Sequence, residues 1–373
     1  MLSAAVPVLF FTLLYAAIMV RYSVGLRRLE PPSSARPVKP IPVSLIIPFR
    51  NESAHLEALV ADLSAQVYPP EKLEVLFIDD HSDDGSGELL KDLLEEMPRF
   101  GCLELPEGLS GKKQAIQLGI RKASASWIIQ TDADCRLGPL FVSSHVAFLE
   151  QRPSDLVGGL VTTLEGRGTF LEMFERLDIL GLAGTGAGSF YYRRPVMCSG
   201  ANLGYSRELY LETRRFDPSN ALASGDDMFL MIGARKLGKR LSFNIAREAM
   251  VKTHPVPGVR SLVLQRIRWG SKTWRYGMTG IQMLALVVAV TNLLVLSIPL
   301  WLVLFPSGWP LLLAALLIKT LADVFMLHAV TGLTGQRKAL RFFLPAVLFY
   351  YFYQLAILAG ALFAGPGWKG RKF

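Results

Sequence analysis

Charge is scarce in this chain of 373 residues: 19% are charged and 51% are hydrophobic. That is slightly apolar for a soluble protein and directs attention to membrane segments. Cysteine is scarcer still, with only Cys102, Cys135 and Cys198 and no CxxC spacing. The scarcity excludes a disulfide-stapled scaffold and a cysteine zinc site, and the three read as reduced thiols of a cytosolic domain. No internal repeat or low-complexity tract is visible. Residues 1–20 carry no charge at all, and Arg21, Arg27 and Arg28 follow the apolar run instead of preceding it. A cleaved signal peptide has the reverse order, so the segment reads as a retained anchor with its C-terminal flank in the cytosol.

What is present divides the chain. After the anchor (1–22) comes a proline-rich linker (23–42) containing EPPSSARPVKPIP, an extended spacer by composition. A domain expected over 43–258 is followed by an interfacial helix (259–280). A membrane region of about three segments (281–365) and a basic tail (366–373) complete the chain. Residues 281–305, 309–330 and 342–365 are long enough to cross a bilayer. Lys319 and Asp323, four residues apart, can pair on one helix face. Pro345 leaves 342–365 open between a span and a re-entrant hairpin. The net charge of +9 does not mark a nucleic-acid binder. The basic residues crowd near apolar boundaries, at 21–28, 260–275, 337–341 and 369–372, where anionic lipid headgroups explain them.

Within 43–258 short apolar runs alternate with amphipathic stretches. VSLIIPF (43–49), LEVLFID (73–79), CLEL (102–105) and WIIQT (127–131) read as strands. Residues 52–66, about 86–96, and GKKQAIQLGIRKA read as helices. Such alternation predicts an α/β fold with a mainly parallel sheet, whose ligands bind beyond the carboxyl ends of its strands. Polar clusters fall at those ends: Arg50-Asn51-Glu52, Asp79-Asp80 and Asp132-Ala133-Asp134. Two carboxylates one residue apart, where a strand turns, suit a hard cation such as Mg²⁺ or Mn²⁺ that keeps substrate phosphates in its shell. Asp80 can accept from a base or a ribose, whereas Asp83 and Asp84 suit the turn. Asp226 and Asp227, after Ser224-Gly225, either cap a helix or act as a general base. Gln265, Arg268 and Trp269 share one helix face. That face can bind phosphate and stack a sugar, or sit at a membrane interface. GLAGTGAG (181–188) is not a dinucleotide fingerprint and reads as a flexible loop near an acceptor. His254, before Pro255, reads as structural.

In order, VSLIIPFRNES, EVLFIDDHSDDGS, GKKQAIQLGI, QTDADC, CSGANLGYSRE, SGDDMFL and QRIRW resemble the family 2 glycosyltransferases. The likeness is to the membrane-bound branch that includes cellulose, hyaluronan and ceramide-glucosyl synthases. The resemblance covers about 43–269 and implies a GT-A fold and an inverting mechanism. It implies donor contacts from Pro48, Glu52, Asp80, Lys112, Lys113, Asp132, Gln265, Arg268 and Trp269, and a metal, Mg²⁺ or Mn²⁺, on Asp132 and Asp134. Asp227 matches the general base, and Asp226 stands where the family carries glutamate. Cys198, Gly200, Ala201 and Asn202 match the acceptor-side segment. The implied donor is a nucleotide-diphospho-sugar with uridine the expected base. The acceptor is a lipid or a growing glycan, and four spans favour the lipid over a processive polysaccharide synthase. A non-catalytic scaffold of the same fold is the remaining alternative, opposed by the intact aspartates. The expected location is a bacterial inner membrane, with the domain facing the cytosol and touching membrane lipids.

Overall fold

The computed structural model describes residues 5–216, 225–272, 277, 279–304, 306–363, 367–368 and 371–372. Ser224, Lys369 and Gly370 lie outside the described residues. In chain order the elements begin with α1 (Ala5–Arg28), β1 (Val43–Phe49), α2 (Ser53–Ser64), β2 (Leu73–Asp79), α3 (Ser86–Leu94) and β3 (Phe100–Glu104). Next come α4 (Lys112–Lys122), β4 (Trp127–Gln130), β5 (Cys135–Arg136), α5 (Phe141–Gln151), β6 (Leu156–Gly159), β7 (Val161–Thr163) and α6 (Phe170–Tyr191). Then follow β8 (Leu203–Ser206), α7 (Arg207–Thr213), α8 (Asp226–Lys236), β9 (Leu241–Asn244), β10 (Val251–Thr253) and α9 (Val259–Gly270). The last helices are α10 (Thr279–Leu296), α11 (Ile298–Leu304), α12 (Trp309–Thr334) and α13 (Phe343–Phe363).

The chain forms two compact units. One comprises residues 29–164, 190–254 and 366–373; the other comprises 1–28, 165–189 and 255–365. Residues 165–189, inside the span 43–258 expected for one domain, therefore belong with the apolar helices.

The first unit is built on a seven-stranded sheet of order β3-β2-β1-β4-β8-β6-β9. β1, β2, β3 and β4 run parallel, and β8 is antiparallel to β4 and β6. All seven residues of β1 are buried, as expected of a central parallel strand covered on both faces. Leu45, Ile47, Val75 and Phe77 share a core with Leu56 and Leu59 of α2 and Phe141 of α5. Ile46 and Ile78 face α4. A side chain added at Gly119 would come within 2.7 Å of Ile46, so this glycine lets α4 settle on the sheet. A second sheet, β5-β10-β7, pairs Cys135 with Thr253.

Among the described residues, the other unit holds four helices long and apolar enough to cross a membrane: Val6–Arg28, Thr279–Leu296, Pro306–Thr334 and Arg337–Gly360. The expected span 281–305 is divided into α10 and α11, with Pro299 in the first turn of α11, where its missing N–H costs nothing. Residues 343–363 form one continuous helix, not a hairpin, because Pro345 also lies in a first turn. Lys319 pairs with Asp323 at 2.7 Å, and the Tyr15 hydroxyl of α1 donates to Asp323 at 2.6 Å. The pair thus staples two apolar helices together.

The flexible loop expected at 181–188 is instead the body of α6. Its glycines are packing surfaces. A Cβ at Gly188 would lie 2.0 Å from the carbonyl oxygen of Tyr22 on α1, and one at Gly184 would lie 2.9 Å from the Met326 sulfur on α12. Small residues at such spacing let helices approach backbone to backbone.

Candidate active site

The sheet carries the acidic groups to one edge. Because β1, β2 and β4 are parallel, Glu52, Asp80 and Asp132 all follow carboxyl ends of strands. The loops after β1 and β2 are laced together. Asn51 Nδ2 donates to Asp83 at 2.7 Å, and Ser53 N donates to Asp84 at 3.1 Å. Glu52 N donates to Ser86 Oγ at 2.9 Å. Asp84 is held at a pKa of about 2; burial opposes this, and the hydrogen bonds from Ser86 and Ser53 outweigh it. Asp83 and Asp84 are thus turn-builders, as their sequence context suggested. Asp79 accepts from Ser82 N and Oγ at 2.9 and 2.6 Å. Asp80 is fully buried beside them, its amide donating to Phe49 O at 2.9 Å. Pro48 lies on β1 opposite Ile78. Lys113 follows Lys112 in the first turn of α4.

The second acidic group gathers around one lysine. Lys112 Nζ lies 2.5 Å from Asp132 Oδ1. Burial disfavours its charge, but the fields of Asp132, Asp226 and Asp227 overcome this and raise its pKa. Asp226 and Asp227 head α8, where a carboxylate meets unpaired backbone N–H groups and the positive end of the helix. Asp227 accepts from Gly200 N at 2.9 Å and from its neighbour Met228 N at 2.7 Å. Its pKa is pushed up to about 6, first by burial and next by the charge of Asp226. Lys112 and the two amide donors work in the opposite direction. A carboxyl group tuned to this range suits proton transfer near neutral pH.

Register explains the meeting of Gly200 with Asp227. Gln130 pairs with Leu203 across the antiparallel β4–β8 ladder, so the segment before β8 runs beside the segment after β4. A Cβ at Gly200 would come within 2.8 Å of Gln130 Nε2 and 3.5 Å of Asp227. Gln130 Nε2 donates to Asp226 Oδ2 at 3.1 Å, and Tyr205 OH donates to Gln130 Oε1 at 3.1 Å. Gln130 and Tyr205 are buried and were not among the sequence candidates. A glutamine ending the apolar run WIIQ was the available signal for the first; Tyr205 had none. Arg50 was noted only as part of a polar cluster. Its Nε and Nη1 are buried without a hydrogen-bond partner among the described residues, which suits an anionic or aromatic ligand.

The acceptor-side candidates separate. Gly200 offers its backbone to Asp227, while Ala201 O accepts from Thr131 Oγ1 at 2.8 Å. Asn202 is fully buried. Its Nδ2 donates to Leu160 O and Ala249 O at 2.8 and 2.7 Å, and its Oδ1 meets His145 Nε2 at 2.8 Å. Its side chain is committed to holding loops together. Cys198 donates through Sγ to the Asp227 carbonyl at 3.5 Å.

Asp134 is placed by the small sheet. The pairing of Cys135 with Thr253 brings Thr253 Oγ1 to 3.4 Å from Asp134 Oδ2. His254 follows, its ring centroid 4.5 Å from that of His55, which itself bonds Glu52 at 2.8 Å. Among the described residues no three His, Cys, Asp or Glu side chains gather as a complete metal site. Mg²⁺ and Mn²⁺ need only one or two carboxylates when phosphates supply the remaining oxygens, so the hard oxygen donors of Asp132 and Asp134 fit such an ion. Gln265, Arg268 and Trp269 lie in the other unit on α9, at the expected helical spacing, with Trp269 exposed.

A mainly parallel sheet with acidic loops at its carboxyl edge is the architecture of GT-A glycosyltransferases. Residues 44–213 match the model "Glycosyl transferase family 2", so the chain carries a glycosyltransferase domain of that family. It is similar to Glycosyltransferase AglE of Haloferax volcanii, 24% identical over 229 residues, covering 61% of this chain and 71% of that one. It is also similar to the dodecaprenyl-phosphate galacturonate synthase of Rhizobium johnstonii. That match is 31% identical over 128 residues and covers 33% of this chain and 37% of the relative. Among solved structures, the mannosyltransferase PcManGT of Pyrobaculum calidifontis, in complex with GDP-Man and Mn²⁺, aligns over 97% of this chain and 98% of its own. Its TM-score is 0.56 at 18% identity, a likeness of fold.

Proposed function

We propose that the protein transfers a sugar, with inversion, from a nucleotide-diphosphate donor to a lipid acceptor at a membrane surface, and that Asp227 is the general base. The observation that carries this reading is the gathering of Asp132, Asp226 and Asp227 around Lys112 at the carboxyl edge of the sheet. The acceptor hydroxyl oxygen bonds to the anomeric carbon as the bond from that carbon to the diphosphate oxygen breaks. Asp227 takes the hydroxyl proton, and the diphosphate leaves with the bonding electrons. No covalent enzyme intermediate is needed.

Glu52, Asp80 and the buried Nε and Nη1 of Arg50 supply polar contacts for the nucleoside, and Lys112 and Lys113 supply positive charge for the diphosphate. Asp132 and Asp134 are the residues that would hold a Mg²⁺ or Mn²⁺, which when bound neutralises charge on the leaving group. Four apolar helices among the described residues, and a relative named for a polyprenyl-phosphate product, support a lipid acceptor and a membrane location, and Arg21, Arg27 and Arg28 after the first apolar run support a cytosolic side for the domain.

The test is release of UDP or GDP by the full chain in nanodiscs containing a hydroxyl-bearing lipid (diacylglycerol or ceramide), with UDP-glucose, UDP-N-acetylglucosamine or GDP-mannose as donor. Polyprenyl phosphate, whose phosphate oxyanion would attack without the base, is a second arm. Turnover that needs the added lipid, falls on chelation and returns with Mn²⁺ supports the proposal. Full turnover in lipid-free detergent, or after chelation, refutes the acceptor or the metal assignment respectively.

A further inference from the structure

The motif Gln265-Arg266-Ile267-Arg268-Trp269 contains two residues that the family pattern leaves open, Ile267 and Arg266, and of these only the arginine is polar. It is the buried one. Its side chain is 5% exposed, whereas Trp269 at the end of the same turn is 41% exposed. One guanidinium meets three partners at once. Nε donates to Asp178 Oδ2 of α6 at 2.8 Å, Nη1 donates to Gln265 Oε1, and Cζ lies 4.2 Å from the centre of the Trp269 ring. The same Asp178 oxygen accepts from Tyr353 OH of α13 at 3.1 Å. Around this knot α9 is pressed onto its neighbours. Leu262, Phe174 and Ile357 share a core, and a Cβ at Gly360 would come within 2.2 Å of Ile267.

A buried ion pair adds little to stability compared with well-packed apolar residues, so stability alone is a weak reason for an arginine here. What the planar fork does, and an ammonium cannot, is satisfy an acid, an amide and an indole face from one rigid group.

We propose that Arg266 is a positioning residue. Anchored by Asp178 and Tyr353, it fixes the side chains of Gln265 and Trp269, so that a helix of the membrane unit sets the orientation of the motif. This rests on the function proposed above only for its catalytic consequence; the positioning itself has its own readout.

The experiment uses the full chain in nanodiscs. Trp269 emission is obtained as the difference between wild type and Trp269→Phe, and likewise for Arg266→Lys against the double variant. Arg266→Lys is expected to raise acrylamide quenching of Trp269 about twofold, as the ring loses its guanidinium cover. It is also expected to lower turnover about tenfold in the wild-type background but less than twofold in Trp269→Phe, since residues acting as one unit are not additive. Tyr353→Phe, which removes a single hydrogen bond, should move both readouts in the same direction by less, and it serves if Arg266→Lys does not fold. Unchanged quenching in a folded variant, or turnover losses that multiply across the two backgrounds, overturns the proposal. If wild type releases no UDP or GDP from any of the three donors, the functional reading fails, and quenching alone decides the role of Arg266.

Discussion

Replacing Asp227 with asparagine separates its chemistry from its electrostatics. The amide keeps the shape and removes the charge. As general base, Asp227 is worth about 10²–10⁴-fold in rate, so Asp227→Asn should lower turnover by that factor with donor KM little changed. Stability should move less, and in a direction set by pH. The folded pKa of about 6 lies above the unfolded value of about 3.9. The native state therefore favours the protonated carboxyl. Stability from this group is full below pH ~4 and is lost as pH rises through ~6, by at most about 3 kcal/mol at about 1.4 kcal/mol per unit. Asparagine removes that loss above pH 6. It also has one acceptor oxygen where the carboxylate has two, so one of the amides of Gly200 and Met228 is left facing an NH₂ at a cost of about 1–3 kcal/mol. The two terms nearly cancel at pH 8. At pH 4 the native carboxyl is itself protonated, but its hydroxyl oxygen can still accept from the second amide where an NH₂ cannot, so the variant should be the less stable of the pair by part of that cost. The assays are turnover from pH 5 to 9 and thermal unfolding at pH 4 and 8. Turnover within tenfold of wild type, or a wild-type profile with no acid limb near pH 6, would refute the assignment of the base.

Lys112→Met removes the cation that lowers the Asp227 pKa, so the acid limb of the pH–rate profile should move upward; a limb that stays put would separate the two groups. Asn202→Ala strips three buried hydrogen bonds and should cost about 2–4 kcal/mol of stability. Acceptor KM should be unaffected in the protein that remains folded, and a specific rise in KM would restore the residue to the acceptor side. Gly188→Ala places a methyl group against the Tyr22 carbonyl and should destabilise the α1–α6 contact by about 1–3 kcal/mol. Crosslinking yield between cysteines introduced on those two helices, compared with wild type, measures the separation.

The order of strands and helices was legible because buried parallel strands are continuous apolar runs and their helices are amphipathic. Residues 43–49, 73–79 and the stretch after Gly111 needed little correction. The strand-end acids were legible as positions, since polar residues stand out where an apolar run stops, but the bonds by which some of them build a turn, as Asp83 and Asp84 do, took the structure to show. Local pattern misled at 181–188, where glycines that signal a loop in water are contact points between helices. The resemblance puts Asn202 in the acceptor-side segment; that its amide bonds Leu160 and Ala249 could not be read from spacing, because both are remote in sequence.

By itself, then, the sequence determined the type of sheet, the apolar helices and the identity of the acids, all properties of short windows governed by hydrophobic period and charge. Only the tertiary structure decided that Lys112 stands among Asp132, Asp226 and Asp227, that Gln130 and Tyr205 brace Asp226, and that Arg266 is buried beneath Trp269. Each depends on strand register or helix packing between distant segments. The energies of such pairs fall off over a few ångströms of space, which spacing along the chain does not encode.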